Sequence, residues 1–238
     1  MPRTSRNKTW AIVAVGDVHG NYRALARIGE LEPDAHLIVQ TGDLTDLCTS
    51  PRHPRTYQDP RTLAPVAQRL LWVPGNHEDW DLVDQAEATG EPPLGRRLIP
   101  GTVFRLGPLT FGGVGGNYSP RWSYVPTGDL PPSKRRHYTL EQIDTVSRHA
   151  VNVLIAHESF FGQGIGRAGA DFGQPTLTAL VDRLQPTLFL SGHHHQYAET
   201  RRGRTLAISL PHVDDTYARV TFDDQGRLLS IEARCFVA

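Results

Sequence analysis

Five apolar stretches of strand length punctuate this chain, and each breaks off in residues that can hold a proton or a cation. WAIVAVGD (Trp10–Asp17) ends in Asp17, with His19 just beyond, and HLIVQTGD (His36–Asp43) ends in Asp43, followed by Asp46. LLWVPGN (Leu70–Asn76) ends in Asn76 and His77, VNVLIAHE (Val151–Glu158) reaches His157, and TLFLSGH (Thr187–His193) opens the triplet His193, His194, His195. The apolar residues run on without strict alternation, the pattern of strands covered on both faces. Between them lie helix-like stretches at Tyr22–Leu31, Asp79–Ala88, Thr139–His149 and Thr176–Leu184. Strands alternating with helices argue for α/β layering. In such sheets, sites form outside the carboxyl ends of the strands. The five runs are therefore expected to deliver their polar ends to one edge.

Spacing sorts the candidates. Side chains two apart on extended backbone point the same way. On that rule Asp17 and His19 reach one place together, His193 and His195 form an inward pair, and His194 faces away, behind the pair. Gly16, Gly42, Gly75 and Gly192 immediately precede Asp17, Asp43, Asn76 and His193. Glycine there permits a sharp turn and a close backbone approach. The donors are hard oxygens and imidazoles, with no thiolate, which suits manganese, iron or zinc better than a structural zinc cage.

The later part of the chain reads differently. TVFRLGPLTFGGVGG carries a Gly-Pro turn between two short strands, and TLAISL and TYARVTFDDQGRLLSIEARCFV are mostly strand-like. A second, partly antiparallel sheet is expected from this part. The whole then becomes a four-layer α/β/β/α sandwich with two central mixed sheets, read as a single domain over 1–238 with a disordered tail at 1–8. Three segments, 49–61, 119–137 and 161–173, read as long loops of the kind that often carry function.

Composition removes other classes. With 25 basic and 25 acidic residues the formal charge is zero, so no whole-molecule field draws the chain to nucleic acid or an anionic membrane. The basic residues are nearly all arginine, which composition bias explains as readily as phosphate binding does. Cys48 and Cys235 give no disulfide framework, and no apolar run approaches the roughly 20 residues of a membrane span. A cytoplasmic protein without a membrane anchor or an obligate protein partner is expected.

The blocks GDVHG, GDLTD, GNHE, a lone His157 and GHHH occur in order from Asp17 to His195. Together they resemble the calcineurin-like metallophosphoesterase superfamily, whose pattern is D-x-H, G-D-x-x-D, G-N-H-[DE], a lone His and G-H-x-H. The resemblance covers most of the chain and implies the sandwich fold. It also implies two divalent ions, manganese foremost, with iron, zinc or nickel as alternatives. One ion would be held by Asp17, His19, Asp43 and His195, the other by Asp43, Asn76, His157 and His193, with Asp43 bridging. Such a pair activates a water to hydroxide near neutral pH and neutralises a phosphoryl group. His77, outside both ligand sets, is then free to protonate the leaving oxygen, and an imidazole titrates in the right range. His77 and Asp43 are thus the expected catalytic residues.

Around this set the reading stays open. Asp46 either orients a ligand histidine or caps a helix. Asp79 reads as a helix cap, and Glu78 as either a cap or a support for His77. His36, His53, His137, His149 and His212 read as surface or core residues, with His53 and His137 the strongest exceptions. In NYSPRWSYVPTGDLPPSKRRHY, Tyr118, Arg121 and neighbouring aromatics either grip a nucleotide or form an ordinary solvated loop. The GGVGGNY hairpin before AHE is loosely similar to RNA lariat debranching enzymes, which usually carry Cys where Asp17 stands. The chain also resembles Ser/Thr protein phosphatases, but Leu47 stands where their phosphate-binding arginine belongs. The favoured expectation is a phosphodiesterase or a broad phosphatase of small esters, nucleotides or RNA ends. The alternatives are a protein phosphatase or a silent binding module on the same fold.

Overall fold

Along β1 (Trp10–Val15), Ile12 and Ala14 face one way and Val13 and Val15 the other, and all four are fully buried. That double burial sets the architecture. In the computed structural model, which describes residues 8–47 and 58–237, β1 lies inside a six-stranded sheet and separates two apolar layers. The spatial order of this sheet is β14 (Leu228–Cys235), β13 (Thr216–Phe222), β1, β2 (Leu37–Gln40), β3 (Leu70–Trp72) and β4 (Arg96–Arg97). Strands β1 to β4 are parallel, with Val13 opposite Ile38 and Val39 opposite Leu71. The second sheet runs β11 (Ala198–Arg202), β12 (Thr205–Ser209), β10 (Leu188–Ser191), β7 (Val153–Ala156), β6 (Leu109–Val114) and β5 (Phe104–Leu106). Its four inner strands, β12, β10, β7 and β6, are parallel.

Between the sheets lie Ile12, Val39, Phe111, Ile155, Leu190, Ile208 and Phe222. Helices α1 (Tyr22–Leu31) and α2 (Trp80–Thr89) close the outer face of the first sheet, where Leu25, Ile28 and Val83 meet Val13 and Ile38. Helices α3 (Leu140–Ser147) and α4 (Pro175–Leu184) cover the second, where Val146, Leu177 and Val181 meet Leu154 and Phe189. The α/β/β/α sandwich with two mixed sheets is therefore the fold.

The helices start where capping chemistry starts them. Asp79 accepts the amide of Leu82 (3.2 Å) ahead of α2, and Thr139 with Gln142 forms a reciprocal box ahead of α3. The caps account for the one-residue differences from the expected starts of α2 and α3, whereas α4 begins one residue early, at Pro175, without a side-chain cap. The segments 119–137 and 161–173 are not structureless. The first holds two short 3₁₀ turns, and the second a small ribbon of β8 (Gly166–Arg167) and β9 (Ala170–Asp171). The expected tail, apart from Lys8, the loop 49–61 up to residue 57, and His53 lie outside the described residues. Among the described residues, no helix is long and apolar enough to cross a membrane.

One expectation needs correcting. The later chain does not build only the second sheet, because β13 and β14 return to the first and pair antiparallel with β1 and each other. Buried Glu32, at the end of α1, anchors them. It accepts the Tyr217 hydroxyl (3.0 Å) and pairs with Arg219 (2.5 Å) and Arg234. Phe222→Ala, which would empty the inter-sheet layer at the end of β13, should cost about 3–5 kcal/mol in urea unfolding. Leu229→Ala, on the exposed face of β14, should stay within about 0.5 kcal/mol.

Candidate metal centre

Asp17 and Asp43 are both buried, on the loops that leave β1 and β2. Asp17 accepts the amide of His193 on both oxygens (3.0 and 3.1 Å) and lies 2.9 Å from Nε2 of His195. Asp43 accepts the amide of His77 (2.8 Å) and stands 3.6 Å from Nε2 of His19 and 3.4 Å from Nε2 of His157. One ligand atom each from Asp17, His19 and Asp43 falls within 4.8 Å of the others. The expected donors from all five runs thus meet at one place, at the carboxyl ends of both sheets.

Two imidazoles are turned inward by partners behind them. Nδ1 of His19 faces the Asp46 carboxylate (3.0 Å), and Nδ1 of His157 faces the carbonyl of Thr41 (3.0 Å). A nitrogen that donates outward leaves the other lone pair for an electrophile. The contact with His19 fits the orienting reading of Asp46, and a 3₁₀ turn opens at Leu47 directly after it, so the capping reading stands beside it. At His157 the arrangement asks for positive charge. Its Nε2 faces Oδ1 of Asn76 (2.9 Å) and Oδ2 of Asp43 (3.4 Å), and three acceptors on one point repel unless a cation sits among them. A proton can fill that role. Burial opposes the imidazolium, yet the charges of Asp43 and Asp17 raise the His157 pKa to about 10. Burial likewise works against ionised Asp43, but His157, the His77 amide and His19 hold it below the usual carboxylate range. A divalent ion answers the same demand, so the donor set fits a metal.

His193 lies with its ring 4.8 Å from His157. Burial, then the charges of His157 and His194, push its pKa down to about 3. His194 packs its ring against Phe172 (5.4 Å) and His193 (4.6 Å). His77 is exposed, with its ring 5.3 Å from that of His19.

Strand alternation does not explain these placements: Asp17 and His19 do lie together, but His193 and His195 do not form one pair. His19 (φ 46°), Asp43 (φ 56°), His193 (φ 67°) and His195 (φ 52°) all adopt left-handed backbone. Their strands stop two or more residues earlier, so alternation on extended backbone does not apply. His193 and His195 consequently diverge, one toward His157 and Glu158, the other toward Asp17.

Glu78 neither caps α2 nor is hydrogen-bonded to His77. Fully buried, it accepts the amides of Leu44 (3.0 Å), Thr45 (2.9 Å) and Gly75 (2.9 Å) and the Thr45 hydroxyl (2.7 Å). It thereby clamps the Asp43 loop to the Asn76 loop. Arg121 is exposed and lies over Trp122 (4.6 Å), and Tyr118 reaches the centre only through its amide, which donates to Glu158 (2.7 Å).

Sequence reasoning missed two groups. Glu158 is buried, 4.0 Å from Nε2 of His193, and burial raises its pKa to about 7. It stood in plain view in AHE. His212 was assigned to surface or core, yet its ring lies 3.8 Å from His195 and 5.1 Å from His19. Its signal was the apolar run TLAISL just before it.

Residues 11–197 match the family model described as calcineurin-like phosphoesterase. No curated protein matches the sequence. Solved structures share the fold at low identity. TT1561 of Thermus thermophilus is 18% identical with a TM-score of 0.68, over 97% of this chain and 100% of that one. A dimetal phosphatase from Danio rerio is 11% identical with a TM-score of 0.59, over 96% and 99%. The phosphopantetheinyl hydrolase of Mycobacterium tuberculosis is 14% identical with a TM-score of 0.54, over 85% and 90%.

A Cβ on Gly75 would land on the carboxylate and amide of Asp43, whereas one on Gly128 meets nothing. Gly75→Ala should therefore cost about 1–3 kcal/mol in urea unfolding, and Gly128→Ala should stay within about 0.5 kcal/mol.

Proposed function

Since the chain belongs to the calcineurin-like phosphoesterase family, we propose that it is a working hydrolase of phosphoric esters that uses two divalent ions. One is held by Asp17, His19, Asp43 and His195, the other by Asp43, Asn76, His157 and His193. The position of Asp43 carries this reading. Its buried carboxylate stands between His19 and His157, one imidazole from each set. When bound, such ions supply an ionised water and neutralise phosphoryl oxygens. Manganese is the favoured metal, with iron, zinc or nickel as alternatives.

The chain's own groups supply the rest. His77 is fixed through its amide to Asp43 while its imidazole reaches solvent, which suits a donor of the proton that the leaving oxygen needs. A cleft of about 340 Å³ opens beside Asn76, lined by Leu47, Trp80, Pro132, Arg135 and Arg136 among others. Arg135 is already engaged. It forks onto Asp84 (2.6 and 2.8 Å) and lies over Trp80 (4.0 Å), leaving exposed Arg136 to meet substrate charge. Leu47 is 62% exposed beside the same cleft, an apolar wall where protein phosphatases present arginine. The substrate is accordingly a phosphodiester or a small phosphate ester, such as a nucleotide or RNA end, and not a phosphoprotein. We place the enzyme in the cytoplasm, in keeping with its balanced charge and two cysteines.

Turnover of bis-p-nitrophenyl phosphate and p-nitrophenyl phosphate in manganese, nickel, zinc and EDTA tests this reading. Activity in manganese that EDTA abolishes is expected, and inertness toward both esters in every metal would refute the hydrolase. His77→Ala should lower kcat by about 10²–10⁴ with bound manganese unchanged. Loss of metal in that variant would remove His77 from the proton-donor role.

A further inference from the structure

Strand β12 runs parallel to β10, with Ser209 opposite Ser191. Its carboxyl end therefore opens on the same edge as the five donor-bearing loops. The chain leaves it through Leu210, Pro211 and His212, and this segment is held tightly against the centre. The amide of Leu210 donates to the carbonyl of Ser191 (2.8 Å) and that of Val213 to the carbonyl of Asp17 (2.9 Å). A Cβ on Gly16 would strike the carbonyl of Pro211, so the two loops touch backbone to backbone. His212, half-buried, is thereby placed over His195 and His19, and one ring nitrogen from each of the three lies within 4.8 Å of the others.

We propose that His212 is a further ligand of the ion held by Asp17 and His19, delivered by β12 as a sixth strand end. The inference rests on the two-ion reading and goes beyond it. Donors 2.0–2.1 Å from one ion lie at most about 4.2 Å apart, so the three imidazoles need move only slightly to share it. The site then holds three histidines with Asp17 and Asp43, a set richer in nitrogen than its neighbour. His195 and the added His212 come from loops after the parallel strands β10 and β12 of the second sheet.

Calorimetric titration of the full chain with manganese, together with the visible spectrum of the cobalt-loaded protein, tests the assignment. His212→Ala and the bulkier His212→Gln are compared with wild type and with His149→Ala, which lies beyond α3 and is expected to behave as wild type. Both His212 variants should bind one of the two ions at least about tenfold more weakly. Their cobalt spectra should change, and their melting in EDTA should match wild type. Two ions bound as in wild type, with an unchanged cobalt spectrum, would overturn the proposal while leaving the two-ion reading intact. A wild-type chain that binds fewer than two ions would remove the two-ion reading itself, and the proposal with it.

Discussion

Two carboxylates, Asp17 and Asp43, are sealed beneath the surface, and their partners among the described residues are imidazoles and backbone amides, with no lysine or arginine. Taking a charge out of water costs several kcal/mol unless opposite charge and hydrogen bonds replace the solvent. Amides supply part of that replacement and leave a deficit of positive charge at a fixed point. Much of the local structure answers this deficit. His19, His157 and His195 converge on the two acids. Asp46 and Thr41 turn the nitrogens that face them, and Glu78 keeps the Asp43 and Asn76 loops in register.

The same demand explains the backbone. A non-glycine residue in the left-handed region costs on the order of 1–2 kcal/mol, yet His19, Asp43, His193 and His195 all adopt it. An extended chain sends alternate side chains to opposite faces, so a donor that must turn back over its strand end needs another geometry. Glycine precedes two of these residues, Asp43 after Gly42 and His193 after Gly192, and glycines also let the loops approach the acids closely. A side chain at Gly75 would collide with Asp43, and one at Gly192 with Asp17. Strain and close approach are thus concentrated at the loops where the acids lie, while the strands behind them remain regular.

How much the sequence disclosed depends on which information is local. Apolar runs, caps and glycine-donor pairs are written within a few residues, so β1, α1 and the donors Asp17, Asp43, Asn76, His157 and His193 could be read directly. Which strands become neighbours is a tertiary matter. Nothing in TYARVTF says that it joins β1 and not the second sheet, since Glu32, which ties it there, lies 185 residues from Tyr217. His212 was lost for the same reason. TLAISL looked like part of an antiparallel tail, and only its parallel pairing with β10 turns its end toward the centre. The spacing argument brought Asp17 and His19 together on the wrong geometry and paired His193 with His195 where the structure separates them, because these residues lie on left-handed backbone beyond the strand ends.

The placement of the donors binds chemistry to architecture. Asp17, His19, Asp43 and Asn76 come after strands of the first sheet, and His157, His193 and His195 after strands of the second. The Asp17 carboxylate, which accepts the His193 amide, therefore spans the seam above the inter-sheet apolar layer. Any cation held between the two groups joins the sheets at their carboxyl ends, while Phe222, Phe111 and Leu188 join them below. An ion that binds only the folded chain stabilises it by RT ln(1 + [L]/Kd), about 2.7 kcal/mol at one hundred times Kd. Packing alone must bring the acids close enough to need that ion. A bound ion would in turn relieve the repulsion that packing creates, and so would couple the centre to the sheet–sheet interface.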